Sequence, residues 1–197
     1  MSAKKPKQIV FICTGNTCRS PMAEALLSRE LTALGIQGYC ATSAGTAAKR
    51  EGRLNPLSAQ VLAENGMQLD GFVSKPIDEK MLTGAKAIVC MTQAQRDEVS
   101  YMRWKLLSEK GRKRITDNVY CFADFCGKEV PDPYGYGLEE YRYVFALMQD
   151  GMYSLMDKLF KKELKALLEK EGGMVEKTSV PAPSNKRKNK KKTAEEA

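Results

Sequence analysis

The stretch Gln8-Ile9-Val10-Phe11-Ile12-Cys13-Thr14-Gly15-Asn16-Thr17-Cys18-Arg19-Ser20-Pro21-Met22-Ala23-Glu24 changes character twice. Its first five residues form a short apolar run of branched and aromatic side chains, which suits a strand buried on both faces of a parallel sheet. A polar loop follows from Cys13 to Arg19. Ser20-Pro21 then sets a favoured N-cap beside a favoured first helical residue, so a helix is expected to begin at Ser20 or Pro21. Ala23, Leu26, Leu27, Leu31 and Leu34 recur at helical spacing, Glu24 is read as a first-turn anion favoured by the helix dipole, and Gly35 supplies a stop. The pattern is strand, loop, helix.

Working outward, the same alternation continues. A second apolar segment at 39–43 precedes a helical pattern from 56 to about 65, stopped by Gly66. A third, 87–91, precedes a predicted helix over 93–107, and a fourth, 118–122, precedes a loop carrying Asp132-Pro133. Apolar positions 138, 141, 145, 148, 152, 155, 159, 164 and 168 predict a long closing helix, broken near Gly151. Such alternation implies an α/β fold: a small four-stranded, parallel, twisted sheet of Rossmann-like type, with right-handed crossovers and helices on both faces. No internal repeat is visible.

Composition limits the function classes. Of the 197 residues, 43% are hydrophobic and 28% charged, and no apolar run approaches the roughly 20 residues that cross a bilayer. The run from Ile9 is too short for a signal-peptide core, so a cytoplasmic location is expected; the chain is expected to be a monomer. The net charge is +8, but from Gly173 onward seven Lys and Arg stand against three Glu, so half the excess lies in the tail. The expected organisation is a flexible N-terminus at 1–7, a catalytic domain at 8–171 and a disordered basic tail at 172–197. That tail is read first as a solvated segment, with weak contacts to RNA or acidic partners as the functional alternative. Six cysteines in a chain without a secretion signal are expected as reduced thiols, with Cys40, Cys90 and Cys121 in apolar strands and Cys126 unassigned. With no histidine and no Cys-x2-Cys pair, neither a metal site nor a cofactor is expected.

In an open parallel sheet, ligands bind at the carboxyl ends of strands, and a helix N-terminus there offers unpaired N–H groups and a positive dipole end. The Cys-x5-Arg loop adds a sulfur aimed into that cradle and a guanidinium able to chelate two oxygens of an anion. The setting favours a thiolate that attacks phosphorus in line, leaving a phosphocysteine. Gly15 supplies backbone freedom, Asn16 and Ser20 hold the loop's shape, and Ser20 is placed to donate to the thiolate. A departing group needs a proton and there is no histidine to give it, so Asp132, between Pro131 and Pro133 after the fourth strand, is the expected acid.

The residues from Cys13 to Glu24, with Asp132-Pro133-Tyr134 far downstream, resemble the low-molecular-weight protein tyrosine phosphatase family. Ser43-Ala44-Gly45 and Met91-Thr92 look like further landmarks, so the resemblance covers roughly residues 8 to 165. It implies Cys13 as nucleophile, Arg19 as phosphoryl clamp, Asp132 as acid and then base for water, and Asn16, Ser20 and Ser43 as braces of the loop. Substrate contacts are expected from Thr14, Gly15, Asn16, Thr17, Cys18, Ser20 and Tyr134. Within the family, phosphotyrosine enzymes usually carry Ile or Leu where this chain has Thr17, whereas bacterial protein arginine phosphatases carry Thr. Phosphoarginine in phosphorylated proteins is therefore the expected substrate, with phosphotyrosine as the alternative. The chain departs from the family in lacking a histidine near Phe72-Val73-Ser74-Lys75, in carrying Tyr136 in the acid loop, and in its basic tail.

Two other readings compete. A thiol-dependent arsenate reductase uses a similar loop but needs downstream cysteines as a relay, which Cys90 would begin. A non-catalytic phosphate- or RNA-binding module would be led by the tail. Cys18 is read either as a redox partner of Cys13 or as a packed small hydrophobe.

Overall fold

The computed structural model describes residues 5–111 and 118–175. Four parallel strands, β1 (Lys7–Cys13), β2 (Tyr39–Gly45), β3 (Ala87–Cys90) and β4 (Val119–Cys121), form one sheet in the order β2-β1-β3-β4. Phe11 stands opposite Ser43 on one side and Val89 on the other, and Ile9 to Cys13 are buried, as an interior strand requires. The chain leaves β1 for one neighbour and later returns to the other. This reversal makes the carboxyl end of β1, at Cys13, the topological switch point where such sheets bind ligands.

The helices are α1 (Arg19–Ala33), α2 (Pro56–Glu64), α3 (Glu79–Gly84), α4 (Gln93–Glu109), α5 (Ala123–Cys126) and α6 (Leu138–Val175). α1 packs on β1 and β2 with α2 beside it, while α4 packs on β3 and β4 with α3 against it. Val10, Ile12, Ala44, Ile88 and Cys90 share a core with Met81 and Leu82 of α3 and Val99 of α4. By the two-residue alternation of a strand, Ile9 and Phe11 point to the opposite face. Local signals start several helices: Asn55 caps α2 with Pro56 at its first position, Asp78 caps α3, and Thr92 with Gln95 forms a capping box on α4.

Three expectations are corrected, and two short helices are added. α1 begins at Arg19 with Cys18 at the N-cap and no side-chain cap, because the Ser20 hydroxyl is engaged elsewhere. Glu24 lies beyond the first turn of α1 and serves a different purpose, described below. α3 and α5 were not anticipated, being too short to show a period. α6 passes through Gly151 unbroken and departs from helical angles at Phe160 (φ −123°, ψ 21°). Gly151 is a packing position: a Cβ there would stand 2.6 Å from Cε1 of the buried Phe122. Phe160 is itself fully buried and meets Tyr39 edge-on at 5.0 Å.

Two compact units divide the chain, one reaching Lys161 and one starting at Lys162. The second is helical through Val175 and carries a Lys165–Glu169 pair one turn apart, at 3.8 Å. The sequence boundary at 171 falls inside this unit. Of the expected tail, 172–175 complete α6, and 176–197 lie outside the described residues, as do 1–4 of the expected N-terminal arm.

Candidate active site

Cys13 ends β1, buried to 2% exposure, and the chain then turns sharply through Asn16, whose φ of 54° is left-handed. Asparagine tolerates that conformation because its short polar side chain bonds locally. Here Asn16 Nδ2 donates to Ser20 Oγ at 3.0 Å and to Ser43 Oγ at 2.9 Å, while Oδ1 accepts the Lys75 amide at 2.9 Å. Both N–H groups of the Asn16 side chain are thus spent. Ser43 in turn donates to Glu24 Oε2 at 2.6 Å, so the hydroxyl of Ser20 is left to point at Cys13 Sγ, 3.0 Å away, or at the Ala44 carbonyl at 3.3 Å. The Asn16 amide also donates to the sulfur, at 3.3 Å. Sequence reading places Asn16, Ser20 and Ser43 in this network and misses the residues behind it, Glu24 and Lys75.

Burial, the largest influence, pushes the Glu24 carboxyl above its usual range, against the hydrogen bond from Ser43 and the nearby Lys75 charge. Lys75 Nζ donates to Thr42 Oγ1 at 2.9 Å, and its carbonyl accepts the Gly45 amide. The region in which the family resemblance implies a histidine therefore braces Asn16 through a backbone N–H instead. Gly45 is required for contact: a Cβ there would lie 2.4 Å from the Thr14 carbonyl oxygen and 3.0 Å from the Asn16 nitrogen.

The loop's carbonyls are bonded outward. Cys13 and Thr14 accept from the amides of Thr46 and Ala47, and Thr17 accepts from Asn55. The loop N–H groups and the unpaired first turn of α1 remain as donors for an anion. Arg19, 4% exposed, donates from Nη1 to the Val130 carbonyl at 3.2 Å and from Nη2 to Asp132 Oδ2 at 2.6 Å, and its buried Nε has no partner among the described residues. Asp132 reaches this place because Val130 N–H bonds the Met91 carbonyl, whose own amide bonds Ile12 in β1. The acid loop is thereby moored to the strand end that carries the cysteine.

Cys13, Thr14, Gly15, Thr17, Cys18, Arg19, Asp132 and Tyr134 line a cavity of about 230 Å³. Asn16 and Ser20 lie behind the lining, fully buried, and Tyr136 is not part of it. Thr14 Oγ1 accepts from Gln95 Nε2 at 3.0 Å, a link that the sequence reading also misses. Cys18 is turned into the fold, 3.5 Å from the Tyr141 hydroxyl, and burial together with that contact pushes the Tyr141 phenol up. The arrangement suits in-line attack: a sulfur held by two hydrogen bonds, a ring of donors, a guanidinium and a half-exposed carboxyl above them. It does not suit a cysteine relay. Cys90 and Cys121 are in register on neighbouring strands but are 0% and 1% exposed, and burial pushes both thiols up.

Residues 8–166 match the family described as low molecular weight phosphotyrosine protein phosphatase. The protein-arginine-phosphatase of Bacillus subtilis is 31% identical over 157 residues, covering 78% of this chain and 95% of that one. A probable low molecular weight protein-tyrosine-phosphatase, EpsP of Ralstonia nicotianae, is 26% identical over 146 residues, covering 74% and 91%. Among solved structures, a cysteine-to-serine mutant of the YwlE arginine phosphatase with a phosphorylated active-site serine superposes with a TM-score of 0.65, at 30% identity, covering 78% and 96%.

Proposed function

The chain belongs to the low molecular weight phosphotyrosine protein phosphatase family, and from that premise we propose that it hydrolyses phosphoarginine in proteins, with Cys13, Arg19 and Asp132 as its catalytic residues. The observation that carries this reading is the Cys13 sulfur, held at the strand end by Asn16 N–H and the Ser20 hydroxyl in the cavity that Arg19 and Asp132 also line. The Cys13 thiolate attacks phosphorus as the bond from phosphorus to the guanidinium nitrogen breaks, and Asp132 gives that nitrogen its proton. Arg19 and the loop N–H groups carry the charge on the equatorial oxygens. Asp132, now ionised, takes a proton from water as its oxygen attacks the phosphocysteine, releasing inorganic phosphate and restoring the thiolate. The phosphorylated active-site serine of the YwlE mutant supports the covalent step.

The choice of phosphoarginine rests on Thr17 and on the relative from Bacillus subtilis. Thr17 lines the cavity with a small polar side chain, a poor partner for a phenyl ring and a better one for a hydrated guanidinium. Tyr134, 71% exposed at the cavity, keeps phosphotyrosine as the second reading with the same mechanism. Among the described residues no helix is long and apolar enough to cross a membrane. The deciding experiment compares phosphate release from matched phosphoarginine and phosphotyrosine peptides, with Cys13→Ser as control. Preference for phosphoarginine is expected, preference for phosphotyrosine moves the chain to the sister branch, and release from neither ends the phosphatase reading.

A further inference from the structure

The segment from Thr46 to Asn55 is bound edge-on to the phosphate loop. Thr46 and Ala47 donate to the carbonyls of Cys13 and Thr14, each at 3.0 Å, and at the far end Asn55 donates to Thr17 at 2.9 Å. Between these ties Ser74 holds the segment: its hydroxyl donates to the Lys49 carbonyl at 2.6 Å and its amide to the Gly52 carbonyl at 2.8 Å. Gly52 packs so closely that a Cβ would stand 2.4 Å from Ser74 Oγ. Glu51 takes a φ of 69°, a left-handed conformation that glutamate seldom adopts and that persists where surrounding structure enforces it.

This fixed segment carries Lys49, Arg50 and Arg53 against the single acid Glu51, all four exposed. None of the three cationic side chains bonds or pairs with another described residue. Elsewhere arginines are matched, as with Arg142 between Glu64 and Glu139 and Arg29 on Glu30. Three unmatched cations on a segment bonded directly to an anion-binding loop raise the local potential for negatively charged ligands beyond what the phosphoryl group itself uses.

Resting on the phosphatase reading above, we infer that Lys49, Arg50 and Arg53 form a cationic rim that selects phosphorylated protein segments with acidic residues flanking the phosphorylated one. The rim acts on binding of the flanks and leaves the chemistry at Cys13 untouched. Exposed pairs are individually weak, so the preference is cumulative and sensitive to salt.

The test uses phosphoarginine peptides that differ only in flanking residues, Asp/Glu in one and Lys in the other, with para-nitrophenyl phosphate as a substrate that has no flanks. At low salt the acidic peptide should show a kcat/KM about tenfold higher, shrinking severalfold at high salt. The triple variant K49E/R50E/R53E should reverse the preference while kcat on saturating para-nitrophenyl phosphate stays unchanged, which also reports that it folds. Equal kcat/KM for the two peptides in the unmodified protein overturns the inference while Cys13-dependent turnover of para-nitrophenyl phosphate leaves the phosphatase reading standing. A preference that survives the triple variant overturns the assignment to these residues. No turnover of any substrate brings down both.

Discussion

Cys13→Ser keeps the hydrogen bonds of the loop but replaces the sulfur with a poorer nucleophile, and phosphate release should fall by at least about 10³-fold. Asp132→Asn removes the proposed proton donor while leaving an acceptor for Arg19, and kcat should drop by about 10² to 10⁴ on protein substrates. A variant that kept full kcat would take the acid role from Asp132. Thr17→Ile should move the phosphoarginine to phosphotyrosine ratio about tenfold toward phosphotyrosine, and an unchanged ratio would remove Thr17 as the discriminating residue. Glu24 anchors the hydrogen-bond chain through Ser43 and Asn16 to Ser20, so Glu24→Ala should lower kcat/KM on the order of tenfold, and Glu24→Gln, which keeps an acceptor, by less. The stability effect has a definite sign. A carboxyl raised in the fold holds its proton more readily than in the unfolded chain, so its contribution is full below the unfolded pKa and is lost as pH rises through the folded one. Denaturant midpoints of the unmodified protein should therefore fall relative to Glu24→Gln as pH rises through the carboxylate range, and parallel profiles would contradict the shift. Cys13, Arg19, Asn16 and Ser20 were legible because they crowd one local stretch. Glu24 was misread as a dipole anion because its partner Ser43 is remote in sequence and meets it only across α1 and β2.

At the scale of elements, strands were legible as apolar runs and long helices as periodic ones, because each must bury a face. α3 and α5 gave no such signal. The break in α6 was placed at Gly151 by intrinsic propensity, which ranks glycine low in helices, whereas the tertiary fold needs a missing side chain there to admit the Phe122 ring. Gly151→Ala should consequently destabilise by about 1–2 kcal/mol, the clash outweighing the gain in helix propensity. A denaturant midpoint equal to or above that of the unmodified protein would show that α6 and Phe122 can separate at little cost. Ser20 illustrates the same conflict. It has the residue type of an N-cap, but its hydroxyl is spent on the Cys13 sulfur, and α1 starts uncapped.

For the molecule as a whole, the site is built by elements far apart in the chain: β1 and α1 bring Cys13 and Arg19, and the loop after β4 and α5 brings Asp132. Deleting residues 176–197 removes all seven of the tail's cations but none of these elements, so peptide turnover should be retained while any salt-sensitive RNA retention disappears. Retained RNA binding would put the basic site elsewhere. By itself the sequence determined the strand, loop and helix around Cys13 and the parallel α/β class, and it singled out Cys13 as the nucleophile proposed above, because these depend on local periodicity, loop composition and residues adjacent in the chain. Only the tertiary structure decided that Val130 bonds Met91 and so carries Asp132 to Arg19, that Lys75 braces Asn16 by its backbone, and that Gln95 and Tyr141 support the loop. Such contacts join residues far apart in the chain through single hydrogen bonds, and a hydrogen bond's partner is set by where packing brings two groups together, which no local pattern records.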